Sequence, residues 1–446
     1  MDRKTLSKAR LSRDPRFDGC FFVAVKTTGI YCRPICPAPA PKESNVEYYT
    51  FSYQAALAGY RPCLRCRPDS APSTPAWKGV SATVDRAKRL IDEGALHNQP
   101  LASLCTKLGV GPRHLRQVFN THLGISPKSY SLFRQCEFAK ELLHQTTLPI
   151  TEIAYASGFN SVRRFNDSFK KQLRLTPSQV RKSVGAVSNT ITLLLNYRPP
   201  YDWTAVHLFL SRREMEGLEV NTPTSYGRDV RIGHCTGRFN AKHNPEKNRF
   251  EVDVEVDDLR FLQQLIRGVR RVLDMDSDST EIETHLRAAG FTEVSSGLRL
   301  PGTWTVFEAG VRAILGQQIS LTAATQLVQT LVNEYPGRGF PTPEWINGTN
   351  LEFLAIPKKR RACLTSLAQH FLEDDDPRLP SRWQSIPGIG PWTTNYAQMR
   401  GLSAPDIFLG GDLIVKKALR QQPNLDIEAC APFRSYATLE LWKAHS

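Results

Sequence analysis

The sequence predicts a multidomain chain in four parts. These are a small α+β domain at residues 1–78, an all-α domain with two helix-turn-helix units at 79–186, a mixed α+β domain at 187–300, and an all-α helix-hairpin-helix domain at 301–446. Three observations predict this. Four cysteines fall within 35 residues near the start. A helical hairpin pattern occurs twice between residues 101 and 171. The positive charge is confined to the front: residues 1–186 hold 29 Lys and Arg against 13 Asp and Glu, a net of +16, whereas residues 187–446 hold 29 against 30, a net of −1. A chain of 446 residues also exceeds what one core accommodates.

The cysteines stand as Cys32-Arg-Pro-Ile-Cys36 and Cys63-Leu-Arg-Cys66, with 26 residues between the pairs. Two short pairs across such a gap have the spacing of a tetrahedral Zn²⁺ site. A redox pair or disulfides would be the alternative, but nothing else points to an oxidising compartment. The other six cysteines (Cys20, Cys105, Cys136, Cys235, Cys363, Cys430) are scattered and read as small core or surface thiols. Cys20-Phe-Phe-Val-Ala-Val and Val46-Glu-Tyr-Tyr-Thr-Phe predict strands amid Pro and Gly punctuation. So small a segment has a thin core, and a bound metal supplies the missing stability. Arg33, Arg61, Arg65 and Arg67 flank the ligands.

The concentrated charge points to a polyanion partner, nucleic acid above all. There is no apolar run of membrane-spanning length and no N-terminal signal pattern. The expected location is therefore cytoplasmic and nucleoid-associated, without a membrane partner.

Ser70 to Lys78 is rich in Ser, Pro and Thr and reads as a linker. A helical stretch then starts at Val84. Leu101, Leu104 and Leu108 share one helix face, Gly109-Val-Gly forms a turn, and Pro112 suits the first position of the next helix. That helix carries Arg113, His114, Arg116 and Gln117 outward, with Leu115 and Phe119 inward. After a long helix from Pro127 to Gln145 the pattern returns. Ile150, Ile153 and Ala154 form a helix, Ser157-Gly158-Phe159 a turn, and Ser161 to Lys171 a second helix with Phe165 and Phe169 inward. Two such units on one connecting helix can enter successive major grooves, with Arg113, Arg116, Arg163 and Arg164 as candidates for base or phosphate contacts.

Beyond residue 187, Thr190-Ile-Thr-Leu-Leu-Leu and Phe250-Glu-Val-Asp-Val-Glu-Val-Asp read as strands. From Glu308 onward the pattern is mostly helical. In Ile386-Pro-Gly-Ile-Gly-Pro-Trp-Thr-Thr-Asn-Tyr-Ala, an apolar helical lead-in, a tight hairpin at Gly388 and Gly390, and a following helix are expected. Glycines let backbone amides approach a phosphate, and the helix start adds its positive dipole end. A Gly-rich connection for packing alone is the alternative. Asp412 comes 22 residues after Gly390, before an apolar helix, which by itself is the place of an N-cap.

Three resemblances extend this reading. Val25-Lys-Thr-Thr-Gly-Ile-Tyr-Cys-Arg-Pro-Ile-Cys and Gly59-Tyr-Arg-Pro-Cys-Leu-Arg-Cys-Arg-Pro-Asp resemble the N-terminal domain of the Ada family of bacterial DNA alkylation-response proteins. The resemblance implies that Cys32 accepts a methyl group from a DNA methylphosphotriester, and that Cys32, Cys36, Cys63 and Cys66 hold one Zn²⁺. Ile153-Ala-Tyr-Ala-Ser-Gly-Phe through Thr176-Pro177 resembles the AraC/XylS family of transcription activators, which implies promoter DNA and RNA polymerase as partners.

The hairpin, Phe307-Glu-Ala-Gly-Val-Arg-Ala-Ile-Leu-Gly-Gln-Gln-Ile-Ser and Asp406-Ile-Phe-Leu-Gly-Gly-Asp-Leu-Ile-Val-Lys-Lys resemble the AlkA-type 3-methyladenine DNA glycosylases, over nearly all of 187–446. This implies Asp412 as the catalytic carboxylate and Trp392, Tyr396 and Trp442 as walls of a pocket for a flipped, electron-poor base. Core packing is the other reading of Trp392. Lyase-type relatives have a lysine where this chain has Trp392, so a monofunctional enzyme that leaves an abasic site is expected, acting on bases such as 3-methyladenine and 7-methylguanine. Two positions depart from the pattern: Gly411 replaces an acid, and Gln318 replaces the aliphatic wedge. No Pro-Cys-His-Arg stretch occurs, so the O6-alkylguanine methyltransferase domain of some Ada proteins is not expected. The alternatives are a zinc-dependent regulator with a non-catalytic glycosylase-like half, and a zinc-containing activator without methyl transfer.

Overall fold

The computed structural model describes residues 3–13, 17, 20–63, 65–66, 68, 82–97, 99–181, 191–374, 377–422 and 425–443. The linker expected at 70–78, the junction at 184–189 and Arg67 lie outside the described residues. The chain gathers into two compact units, Met1–Pro199 with Asn244–Arg267, and Pro200–His243 with Gly268–Ser446.

In the first unit, α1 (Arg3–Ser12) precedes a four-stranded sheet in the order β3-β1-β2-β4: β1 (Phe22–Val25), β2 (Ile30–Cys32), β3 (Val46–Tyr49) and β4 (Arg61–Pro62). β1 runs antiparallel to β2 and β3, while β2 and β4 are parallel. Period-two alternation divides the apolar residues between the sheet's faces. Phe21, Val23 and Val46 pack with Ala9 on one side, and Phe22, Ala24 and Tyr31 pack with Ala55 of α2 (Ser52–Leu57) on the other. Among the described residues each cluster has four buried members. The buried Arg10 supplements them by donating to Glu43 at 2.9 Å, to the Tyr48 hydroxyl at 3.2 Å and to the Pro41 carbonyl at 3.0 Å.

Helices α3 (Ala82–Asp92), α4 (Leu101–Leu108), α5 (Pro112–Leu123), α6 (Pro127–Gln145), α7 (Ile150–Ala156), α8 (Val162–Leu173) and α9 (Pro177–Val180) follow. The two helix-turn-helix units are therefore α4–α5 and α7–α8, joined by α6. Gly109 ends α4 in the left-handed region at φ 68°, and Pro112 opens α5 as expected. Ser126 and Ser161 cap α6 and α8 by accepting the N–H of Ser129 and Arg164. Leu115, Phe119, Phe165 and Phe169 are fully buried, and Phe165 meets Phe159 and Phe169 at ring distances of 5.2 and 5.3 Å. Gly158 has φ 83°, and any side chain there would strike the ring of His97. β5 (Ile191–Asn196) pairs antiparallel with Arg249–Val256, in register Ile191 to Val254.

The second unit contains α10 (Trp203–Ser211) and the antiparallel strands β6 (Glu219–Thr222), β7 (Ser225–Ile232) and β8 (Cys235–Asn244). Helices α11 (Leu262–Val272), α12 (Ser279–Ala288), α13 (Val306–Leu315), α14 (Leu321–Glu334), α15 (Pro343–Gly348), α16 (Lys358–Glu373), α17 (Pro391–Gly401), α18 (Leu413–Gln421) and α19 (Arg434–Lys443) follow in the chain. α13 is the central helix: nine of its ten residues are buried, as befits a helix apolar nearly all round. Gly310 permits its close approach, since a Cβ there would lie 2.8 Å from Trp383. The exceptions to its apolar character are Glu308 and Arg312: Glu308 is fully buried and ion-paired to Arg228 at 3.0 Å and to Arg312 at 2.9 Å. Burial alone would raise its carboxyl, but the two guanidiniums hold it below the usual range.

Asp274 is the opposite case. It accepts the Leu300 N–H at 2.8 Å, the Tyr436 hydroxyl at 2.9 Å and the Ser277 hydroxyl at 3.0 Å, yet burial pushes it up to about 6 from 3.8. A folded-state value above the unfolded one means that the native state binds the proton more tightly, so stability falls as pH rises through the window from 3.8 to about 6. With its partial exposure discounted, the expected loss is about 1–2 kcal/mol. Asp274→Asn should flatten that slope in urea midpoints measured across the window. An unchanged slope would assign the pH dependence elsewhere.

Among the described residues no helix is long and apolar enough to cross a membrane.

Candidate functional site

The four paired cysteines converge. The Sγ atoms of Cys32, Cys36, Cys63 and Cys66 all lie within 4.8 Å of one another, and among the described residues no other group of His, Cys, Asp and Glu forms such a cluster. The sheet brings them together. Cys32 ends β2 and Cys63 follows β4, and the parallel pairing of these strands continues as the Cys63 N–H donates to the Tyr31 carbonyl at 2.9 Å. Cys36 returns on a turn in which its N–H donates to the Arg33 carbonyl at 3.1 Å. The Arg33 N–H donates to Cys66 Sγ at 3.3 Å, a contact that orients a ligand sulfur from behind.

Four thiols so close cannot all ionise alone. The contact with Cys36 heads the causes that push Cys32 up, and the same contact heads those that hold Cys36 down at about 7. Four sulfur donors in a tetrad, with no acid or amide among them, are the donor set of Zn²⁺, and the site holds one Zn²⁺. Cys63 and Cys66 are buried, whereas Cys32 is half-buried and reaches solvent. The flanking arginines differ in a way that spacing could not show. Arg65 is exposed, but Arg33 is 8% exposed and its guanidinium donates inward to the Cys66 carbonyl, so it serves the metal site rather than a polyanion.

On the helix-turn-helix units, Arg113 and Arg116 of α5 and Arg163 and Arg164 of α8 are all exposed, on helices whose opposite faces are buried.

The second site lies in the second unit, at the N-terminus of α18. Asp412 is its N-cap: Oδ1 accepts the Ile414 N–H at 2.9 Å and the Val415 N–H at 3.2 Å. The carboxylate also accepts two indole N–H groups, from Trp442 to Oδ1 at 3.2 Å and from Trp392 to Oδ2 at 3.2 Å. The capping role and the pocket role are therefore compatible. Oδ1 is saturated by three donors, while Oδ2 keeps room for a further contact. Trp392 stacks on Tyr396 at 5.3 Å, and Tyr396 meets Trp442 at 6.5 Å. Trp392 and Tyr396 are half-buried, whereas Trp442 is buried at 8% exposure.

The hairpin differs in detail from the expectation. Its helical lead-in is a 3₁₀ turn, Pro380–Ser385, rather than an α-helix: Pro380 opens it and its six residues run directly into Ile386. Gly388 has φ 92° and needs glycine, whereas Gly390 is an extended N-cap of α17 at φ −103° that any residue could adopt. A Cβ at Gly390 would meet nothing within 4 Å, so the fold itself does not require glycine there. Gln318 is exposed at φ 59°, unusual for a non-glycine residue, on the loop between α13 and α14. Its neighbour Gln317 braces that loop by donating from Nε2 to the Gly388 carbonyl at 3.0 Å and to the Thr393 hydroxyl at 3.1 Å. A Cβ at Gly411 would only reach ordinary contact with Trp392, at 3.9 Å, so the missing acid leaves no packing defect.

Three residues of this site had no signal in the sequence. Phe209 of α10 stacks on Trp442 at 6.5 Å. Arg213 and Arg400 lie over the Phe209 ring at 3.7 and 4.5 Å, and burial together with Arg400 pushes Arg213 down to about 9. Arg400 also donates to the Tyr396 hydroxyl at 3.3 Å. The spacing of Phe209 and Arg213, one helical turn, is too common to mark a site.

Comparison with known proteins covers both units of the chain. The metal binding domain of Ada matches residues 5–69, a helix-turn-helix domain matches 104–183, and the AlkA N-terminal domain matches 192–305. These define a chain in which a zinc-bearing regulator of the Ada type precedes a glycosylase-type half. A probable bifunctional transcriptional activator/DNA repair enzyme AlkA of Mycobacterium tuberculosis is 32% identical across 98% of this chain and 95% of its own length. The DNA-3-methyladenine glycosylase 2 of Escherichia coli is 30% identical across 56% of this chain and 95% of its own. The bifunctional transcriptional activator/DNA repair enzyme AdaA of Bacillus subtilis is 33% identical across 39% of this chain and 81% of its own. The chain belongs to the family of bifunctional transcriptional activator/DNA repair enzymes, and DNA is the partner of both activities.

Proposed function

We propose that the protein repairs and reports DNA alkylation, with a methyl-acceptor domain at 1–78, a promoter-reading domain at 79–186, and a glycosylase built from 187–300 and 301–446. The observation that carries this reading is the pairing of a four-thiolate centre in one unit with an indole-clamped carboxylate in the other.

Cys32 is the methyl acceptor. Bound Zn²⁺ supplies the charge that keeps the four sulfurs ionised near neutral pH. The half-buried Cys32 sulfur attacks the methyl carbon of a methylphosphotriester, the S–C bond forms as the C–O bond breaks, and the phosphodiester anion leaves with the electron pair. The thioether has no easy route back, so each molecule acts once. Four thiolates around one dication carry −2, and methylating one leaves −1. Less negative charge beside a DNA backbone lowers repulsion, so the methylated protein binds its promoter more tightly through Arg113, Arg116, Arg163 and Arg164. RNA polymerase is the partner that such an activator recruits at the promoter, in the bacterial cytoplasm.

In the second half, Trp392, Tyr396 and Trp442 receive an extruded 3-methyladenine or 7-methylguanine. An alkylated ring nitrogen makes the base a good leaving group, so little acid catalysis is needed. The Asp412 carboxylate, oriented by two indoles and two backbone amides, stabilises positive charge on the sugar as the glycosidic bond breaks. Gly388 and Gly390 admit a phosphate to the hairpin, and Gln318 enters the gap left by the base. Water completes the cleavage and leaves an abasic site.

The test is incubation of the full-length protein with methylated duplex DNA. Free 3-methyladenine or 7-methylguanine in solution and one methyl group gained on the protein are both expected. A protein that gains methyl but releases no base is a regulator with a non-catalytic second half.

A further inference from the structure

Four consecutive cations, Lys358-Lys359-Arg360-Arg361, open α16 in a half of the chain whose net charge is −1. The first turn of a helix repels cations by about 0.3–1 kcal/mol each, and this turn contains no acid. Lys358 and Lys359 are exposed and Arg361 is half-buried. None of these three side chains pairs with a carboxylate among the described residues. Arg360 differs: its Nη2 donates to the Gln317 carbonyl at 2.9 Å, and Gln317 in turn holds the Gly388 carbonyl and Thr393. The basic turn is thus linked through one residue to the hairpin and is bonded to the residue next to Gln318. A merely solvated basic face requires neither the unpaired cluster nor this brace.

We infer that Lys358, Lys359 and Arg361 form a second phosphate-binding surface of the repair half, which takes the backbone of duplex DNA alongside the hairpin. The inference rests on the DNA-repair reading above. Charge complementarity and continuity with the hairpin select the occupant. Duplex DNA presents one charge per about 1.7 Å of axis, so three cations on one helical turn face two or three phosphates. Arg360 does not bind phosphate. It fixes the register between this grip and the Gln317–Gly388 contact, so the hairpin and the basic turn engage the same duplex together.

The test is fluorescence-anisotropy titration of an undamaged duplex without promoter sequence, across a salt series. It uses full-length protein in which Arg113, Arg116, Arg163 and Arg164 are changed to Gln, to reduce the contribution of the front half. Adding Lys358→Gln, Lys359→Gln and Arg361→Gln should flatten the plot of log affinity against log salt by about 2–3 units, close to one per lost phosphate contact. The charge-keeping change Lys358→Arg with Lys359→Arg should retain the parent slope. Equal slopes in the neutralised and parent proteins, with equal thermal midpoints, would overturn the inference. Because no base release is read, this outcome is independent of whether the glycosylase reading holds.

Discussion

Cys32→Ala protein should accept no methyl group from methylphosphotriester DNA, and its promoter affinity should be the same before and after exposure to that DNA. The wild-type protein should gain affinity by about fivefold, the worth of about 1 kcal/mol for one unit charge removed near a phosphate in a high-dielectric surround. Peptide mass spectrometry locates the methyl group. A methyl found on Cys36, the other zinc-ligand thiol that is not buried, would reassign the acceptor. Exposure supports Cys32 over Cys63 and Cys66, which are 7% and 9% exposed. It does not separate Cys32 from Cys36, and the experiment does.

Asp412→Asn should reduce single-turnover base release by about 10²–10³-fold, as expected for removing one preorganised electrostatic contact to the transition state. The helix cap should persist, because an asparagine oxygen still accepts the Ile414 and Val415 N–H groups, and the thermal midpoint should fall only by the loss of the Trp392 contact, which the amide nitrogen cannot accept. This separates the two roles of one residue. A variant that loses the cap but keeps catalysis, or releases base within a few-fold of wild type, would return Asp412 to a structural role.

Much of the architecture was legible because it is local. The apolar spacing of Leu104, Leu108, Leu115 and Phe119 places both helices of the first helix-turn-helix unit, and each of these residues is buried as that period requires. Pro112 and Gly109 mark the intervening turn through their own backbone preferences. The lead-in to the hairpin is helical as expected, but its 3₁₀ geometry is not legible: the six residues from Pro380 to Ser385 are too few to give a period to count. Gly390 reads like Gly388 in sequence, yet only Gly388 has a left-handed backbone.

The sequence alone determined the donor set and pairing of the zinc ligands, the two reading helices with their outward arginines, and the glycine hairpin ahead of Asp412. Each is carried by residue type and short spacing, which act within a turn or a strand. Only the tertiary structure decided what surrounds them. It turned Arg33 inward against Cys66, set Trp392 and Trp442 as donors to the two oxygens of Asp412, and stacked Phe209 on Trp442 with Arg213 over its ring. These contacts join positions far apart in the chain, such as Phe209 and Trp442, so no spacing within a turn or a strand marks them, and close packing of the folded chain alone sets their partners.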